Sequence, residues 1–204
     1  MGLKISYRGN LRSPNELVSM LDDVYAICIE IGWHFMPIHR SNVMPTRGIM
    51  ITPPGSESIW LTFLAGGMLY DPAHFIYSSS PELERVNEEH GQWITFETQY
   101  AGVDTHMAII KFFRYLSLKY FEVFELRDDS QYWETDDAAV CLIRFDEFNL
   151  VVNMMGEKLD LDEDDFEDYE DFEYDEEDDD DRESVSGKMD EALMRRGGMG
   201  MGLN

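Results

Sequence analysis

Between Glu157 and Glu183 the chain carries 19 aspartates and glutamates against two basic residues, Lys158 and Arg182, a net charge of −17 out of −26 for the whole protein. A run of this kind does not join a hydrophobic core. Neighbouring carboxylates repel one another, and the four aromatics spaced among them, Phe166, Tyr169, Phe172 and Tyr174, offer too little apolar surface to offset the entropy of ordering. The chain therefore divides into a globular body, residues 1–156, a disordered acidic arm, residues 157–183, and a terminal stretch, residues 184–204. That last stretch is rich in glycine and methionine and reads as a flexible tail, with a short helix over Lys188–Arg196.

The body has the size of one ordinary domain and holds all four tryptophans, so it buries enough apolar surface to fold around one core. Cys28 and Cys141 each fall within an apolar helical stripe, where a thiol behaves as a small hydrophobe, so no disulfide framework is expected. The first residues contain no apolar run of signal-peptide length, and no window approaches the roughly 20 apolar residues that span a bilayer. The expected setting is cytoplasmic, without a membrane partner.

Periodicity supplies the elements. Leu3–Tyr7 alternate as a half-buried strand. Ser13, Pro14 and Glu16 spell a capping box ahead of Leu17, Met20, Leu21, Val24, Ile27, Cys28 and Ile31, whose three- and four-residue spacing predicts a helix ended by Gly32. The middle third is made of short apolar runs, 33–38, 48–52, 59–65, 68–70 and 75–77, separated by Pro53-Pro54-Gly55-Ser56, Gly66-Gly67 and Asp71-Pro72, a pattern of antiparallel hairpins. Residues 81–90 read as a short polar helix, and 93–100 alternate again, with Ile94, Phe96, Thr98 and Tyr100 on one side. A second helix runs from an Asp104 cap through His106, Ile109, Ile110, Phe113, Leu116 and Tyr120, and a strand follows at 122–126. A third helix starts near 135–137 and buries Ala138, Cys141, Leu142, Phe145, Phe148 and Val152, with Gly156 opening the arm. The fold class is α+β: a mostly antiparallel sheet with two or three helices on one face.

Three segments, Ile5-Ser6-Tyr7-Arg8-Gly9, then Thr98-Gln99-Tyr100-Ala101-Gly102 with Asp104 and His106, then Tyr132-Trp133-Glu134-Thr135, together resemble a family of small bacterial proteins known as conserved hypothetical proteins. The resemblance covers roughly residues 3–145 and implies a bacterial cytoplasmic α/β-type domain, without an activity, substrate or cofactor. The chain departs from that family's pattern at Asp136, where glycine or another residue is expected, and in its long acidic arm.

Two functional readings follow from the residues. In the first, Glu97, Asp104, His106 and Glu134, near Gln99, Tyr132 and Asp137, form an acid-base site of a small hydrolase or transferase, because a carboxylate beside an imidazole is the usual material of proton transfer. Each has a structural explanation: Asp104 as a cap, His106 as a buried side chain bonded to a carbonyl or carboxylate. No nucleophile elbow, zincin helix, phosphate loop or dinucleotide fingerprint accompanies them, and no cofactor is implied. His34 and His39 face opposite sides of a regular strand, His74 and His90 lack partners at ligand spacing, and Asp160, Asp162 and Asp164 open a calcium-loop pattern that fails at Asp165 and Asp171. In the second and leading reading, the protein is a non-enzymatic interaction module. The arm's carboxylates attract a basic protein surface, and Phe166, Tyr169, Phe172 and Tyr174 anchor on it. Direct nucleic-acid binding is disfavoured, since the body too is acidic, 21 acids against 11 bases, and Arg8, Arg12, Arg40 and Arg47 form no dense patch.

Overall fold

The computed structural model describes residues 3–41, 46–73, 93–158 and 184–197. Its elements are β1 (Lys4–Leu11), α1 (Glu16–Ile31), β2 (His34–Ile38), β3 (Arg47–Thr52), β4 (Ile59–Phe63), β5 (Ile94–Glu97), α2 (Gly102–Tyr120), β6 (Phe121–Asp128), α3 (Tyr132–Thr135), α4 (Ala138–Lys158) and α5 (Val185–Arg195). The strands form two three-stranded antiparallel sheets, ordered β5-β1-β6 and β2-β3-β4, and the fold is α+β. The runs expected at 75–77 and 81–90, His74, His90 and the acidic residues 159–183 lie outside the described residues.

Strand β1 holds the two sheets together. Its first half pairs with β5, from Lys4 opposite Glu97 to Tyr7 opposite Ile94, and its other edge pairs with β6. Its second half meets the 67–70 turn: Leu69 N–H donates to the Gly9 carbonyl at 2.9 Å and Leu11 N–H to the Gly67 carbonyl at 3.0 Å. The same turn reaches β4 through Tyr70 N–H on the Thr62 carbonyl, 2.9 Å. Between these attachments the buried Tyr7 hydroxyl donates to the Trp60 carbonyl at 2.8 Å and accepts from the Trp60 N–H at 3.1 Å. One phenol thus serves both main-chain groups that β4 would otherwise leave unpaired on that edge. At the opposite edge, β2 contains Pro37, which lacks an N–H to offer a further strand. Gly48 in β3 is required by close approach, because a Cβ there would lie 1.9 Å from the Leu61 carbonyl oxygen.

Alternation decides which face packs. Ile5, Tyr7, Leu11, Ile94 and Phe96 point inward, while Ser6, Thr95, Arg8 and Glu125 lie on the outer side, where the Ser6 and Thr95 hydroxyls meet at 2.9 Å. Helix α2 crosses the inner face with two consecutive phenylalanines. Phe113 contacts Tyr7, Phe96 and Phe124, with ring centroids 4.7, 6.2 and 5.9 Å away, and Phe112 reaches Trp33 at 6.1 Å. The Arg12 guanidinium donates to the Leu118 and Lys119 carbonyls, supplying positive charge at the α2 C-terminus.

Several expectations are corrected. Helix α1 ends at Gly32 in the left-handed conformation, φ 78°, as its spacing predicts, but it starts at Glu16 after a turn. Ser13 Oγ accepts from the Asn15 N–H, so no capping box forms on Ser13. Helix α4 passes through Gly156 to Lys158, and Ala138, Leu142 and Val152, expected inside, are exposed; of the expected residues only Cys141 and Phe145 are fully buried, with Phe148 half-buried. Tyr100, expected to share one side with Ile94, Phe96 and Thr98, is exposed while those three are buried. Residues 184–197 are not a loose tail. Helix α5 lies against α1 and α2 with Met189 and Ala192 fully buried, and Arg195 and Arg196 both bind Glu30. The missing signal was length: two or three turns are marginal alone and form here because the body supplies an apolar seat.

Replacing Tyr7 with Phe keeps the ring packing and strips Trp60 of both partners. The expected loss is about 1–3 kcal/mol, read as a lower urea midpoint at unchanged slope.

Candidate functional site

The segment Thr98–His106 turns from β5 into α2 and places the His106 imidazole in the first turns of the helix, pointing into the body. Its ring is fully buried. Nδ1 lies 2.8 Å from Thr98 Oγ1, and Nε2 lies 3.0 Å from Asp128 Oδ1 and 2.8 Å from Ser130 Oγ. Asp128 ends β6, and its carboxylate is saturated: beside His106 it accepts from Ser130 N–H at 2.8 Å, Ser130 Oγ at 2.8 Å and Trp133 N–H at 3.0 Å. Phe145 of α4 closes the group with an edge-on contact to the imidazole, 5.3 Å between centroids. The cluster therefore ties β5, α2, the β6 end, α3 and α4 at one buried point.

This set contains a serine, a histidine and an aspartate, but in the wrong arrangement for nucleophilic catalysis. A catalytic carboxylate orients the imidazole through one ring nitrogen and leaves the other to take the nucleophile's proton. Here Asp128 and Ser130 share Nε2, and the carboxylate can only accept, so Nε2 carries the hydrogen and cannot act as base toward Ser130. The Ser130 proton is already committed to Asp128. Thr98, His106 and Ser130 have no solvent access, and Asp128 very little. Burial alone would push the Asp128 carboxyl up; the bonds from His106, Ser130 and Trp133 outweigh it and hold the group below the ordinary carboxylate value.

The other sequence-derived candidates are dispersed. Glu97 sits at the end of β5, paired with Lys4 at 3.3 Å. Asp104 caps a helix, though not its own: its two oxygens accept from Val185 N–H at 2.5 Å and Ser186 N–H at 3.1 Å, at the start of α5. Lys111 seconds that attachment through Ser186 Oγ and Asp190, both 2.6 Å away. Glu134 lies exposed on α3, its carboxyl pushed up by partial burial and by the nearby Asp128. Among the described residues no hydrogen bond joins any two of Glu97, Asp104, His106 and Glu134. Asp137 opens α4 by accepting from Ala139 N–H at 2.8 Å. The residues the sequence reading missed are Asp128 and Ser130. An Asp-x-Ser turn at a strand end was the available signal, and Thr98 shared its inward parity with Ile94 and Phe96.

A second polar centre pins α1 to α2. Asp23 Oδ2 accepts from Lys119 Nζ at 2.7 Å, from the Tyr115 hydroxyl at 2.5 Å and from the Tyr120 hydroxyl. Burial would raise the Asp23 carboxyl, and these three donors together lower it. The thiols are inert by the same physics, burial pushing Cys28 up to about 12 and Cys141 above its ordinary value. A cleft between α1 and the β2–β3 pair, lined by Asp22, Tyr25, His39 and Arg47, holds about 70 Å³, far below the several hundred Å³ of an ordinary small-molecule site. Among the described residues no group of three His, Cys, Asp or Glu is placed to hold a metal ion, and no helix is long and apolar enough to cross a membrane. Asp136 is left-handed, φ 55°, and pairs with Arg114, which also donates to the Tyr132 and Trp133 carbonyls at 2.6 and 2.8 Å. Phe166, Tyr169, Phe172 and Tyr174 lie outside the described residues.

No protein-family model, no curated protein and no solved structure matches the chain.

Two predictions test these assignments. Asp128 and Asp23 titrate below their ordinary value of 3.8 in the fold. The unfolded chain therefore binds more protons in that range, so their contribution is complete above it and lost as the pH falls through the folded values. Asp128→Asn is expected to cost about 2–3 kcal/mol at neutral pH and to flatten the loss of stability below about pH 4, measured by urea titration across that range. Asp104→Ala leaves two N–H groups at the α5 start without acceptors. Amide hydrogen exchange over 185–195 is then expected to accelerate ahead of the body, for a cap loss of about 0.5–2 kcal/mol.

Proposed function

We propose that the protein is a non-enzymatic interaction module whose acidic segment, residues 157–183, engages a basic protein surface, with Phe166, Tyr169, Phe172 and Tyr174 as anchors. The observation that carries this reading is the placement of a net −17 stretch between two helices of the body. Helix α4 leads into it, and α5 receives it at the Asp104 cap. Charge of that density attracts a cationic surface across about one Debye length, roughly 8 Å at physiological salt, and short-range aromatic contacts then add specificity. The acid-base reading has no comparable support: its histidine is sealed inside the body, Glu97 and Asp104 are engaged elsewhere, and among the described residues Glu134 is not hydrogen-bonded to any of them. The resemblance carried by the three motif segments implies, as part of this proposal, a bacterial, cytoplasmic protein.

The test is affinity capture from the native host with the intact chain and with a version in which residues 157–183 are replaced by a neutral Gly/Ser linker of equal length, so that α5 still docks. The partner is expected to be lost from the linker version and, for the intact chain, at high salt. Equal retention in all conditions would refute the reading.

A further inference from the structure

Helix α4 has two apolar faces, and among the described residues only one of them is covered. Cys141, Phe145 and Phe148 meet the body. At about 100° per residue, Ile143, Leu150 and Met154 fall together on the opposite side, and they are 56%, 61% and 50% exposed. Leu142 and Val151, also exposed, lie on the two flanks of the helix, outside this seam. A surface helix ordinarily turns charged residues to water along the face away from its core. Here the charges stand at the margins: Asp146 on one side of the seam and Glu147 on the other, both exposed, with Glu147 also paired to Arg144 at 2.9 Å. Beyond Met154 the chain runs into the −17 segment. An apolar stripe bordered by acids and continued by a polyanion is complementary to a helix with an apolar stripe bordered by lysine and arginine. A second copy of this chain is a poor fit, because each carries −26 and like charge opposes their association.

We propose that the outward seam of α4, centred on Ile143, Leu150 and Met154, is the docking site for a basic amphipathic helix of a partner protein. The proposal rests on the reading of the acidic segment as a binder of basic surfaces and assigns that reading its apolar contact point. Long-range attraction comes from the segment. Selection for a helix with a stripe comes from α4.

The probes are two synthetic peptides of identical leucine and lysine composition, one with leucines three and four residues apart and one scrambled so that no stripe forms. Titrated against the full chain at physiological salt, the striped peptide is expected to bind at least about tenfold more tightly. The double variant Ile143→Gln, Leu150→Gln is expected to lose that preference while keeping its affinity for the scrambled peptide. Leu150→Lys is expected to lower the preference by itself. Both variants alter exposed positions, and unchanged thermal unfolding verifies the fold. A chain with residues 157–183 neutralised to Asn and Gln is expected to weaken for both peptides and retain their ratio. If the double variant retains the preference, the seam is not the site. If the neutralised chain binds both peptides undiminished, the charge reading fails while the seam survives. Dimerisation of the wild type that the double variant abolishes, or seam-dependent binding to neutral phosphatidylcholine vesicles, would assign the face to a second copy or to lipid and overturn the proposal.

Discussion

Strand β1 is hydrogen-bonded along both edges, and the rest of the fold depends on that arrangement. A three-stranded sheet with one open face is a marginal structure, and two of them side by side would each carry unsatisfied edges. The Tyr7 hydroxyl and the 67–70 turn remove the problem by stitching β4 to β1. The β5-β1-β6 sheet then presents its inner face to Phe113 of α2, β2 and β3 pack against α1, and Phe112 of α2 reaches Trp33 beside them. Burial pushes the Tyr7 phenol far above its ordinary value, so it stays protonated and keeps the one hydrogen that the Trp60 carbonyl requires.

Three polar attachments then fix the helices. The Thr98–His106–Asp128–Ser130 group holds the start of α2 against the ends of β5 and β6; Asp23 holds α1 to the far end of α2; Asp104 and Lys111 hold α5. Each is a carboxylate supplied with several donors, the condition under which a buried or half-buried charge is tolerable. The chemistry that looks catalytic on paper is therefore spent on geometry. What the body leaves unspent is the outer side of α4, which combines exposed apolar side chains with acidic margins just before the densest charge in the molecule.

The division into strands and helices was legible because period-2 and period-3.6 patterns are local properties, and the residues that carry them are the ones buried: Leu17, Met20, Leu21, Val24, Ile27 and Cys28 along α1, or Ile94 and Phe96 along β5. The site was less legible. His106 was visible as a residue on an apolar stripe, but its partners come from positions 98, 128 and 130, and no local rule joins them. Asp104 was correctly read as a cap and assigned to the wrong helix, since the orphan N–H groups it serves lie 81 and 82 residues away. In α4 the pattern failed at Ala138, Leu142 and Val152 because periodicity reports which residues are apolar and says nothing about where along or around the helix a neighbour will sit.

By itself, then, the amino-acid order determined the α+β class, the antiparallel pairing and the separation of an acidic stretch from an apolar body, all consequences of local preference and of charges that cannot be buried together. Only the tertiary structure decided that the stretch lies between two docked helices, that α5 has a seat, that the histidine is sealed in and that one face of α4 remains open among the described residues. Those outcomes depend on which surfaces meet across large sequence separations, and a helix of marginal intrinsic stability or a stripe of apolar side chains acquires its meaning only from the surface placed against it, or from the lack of one.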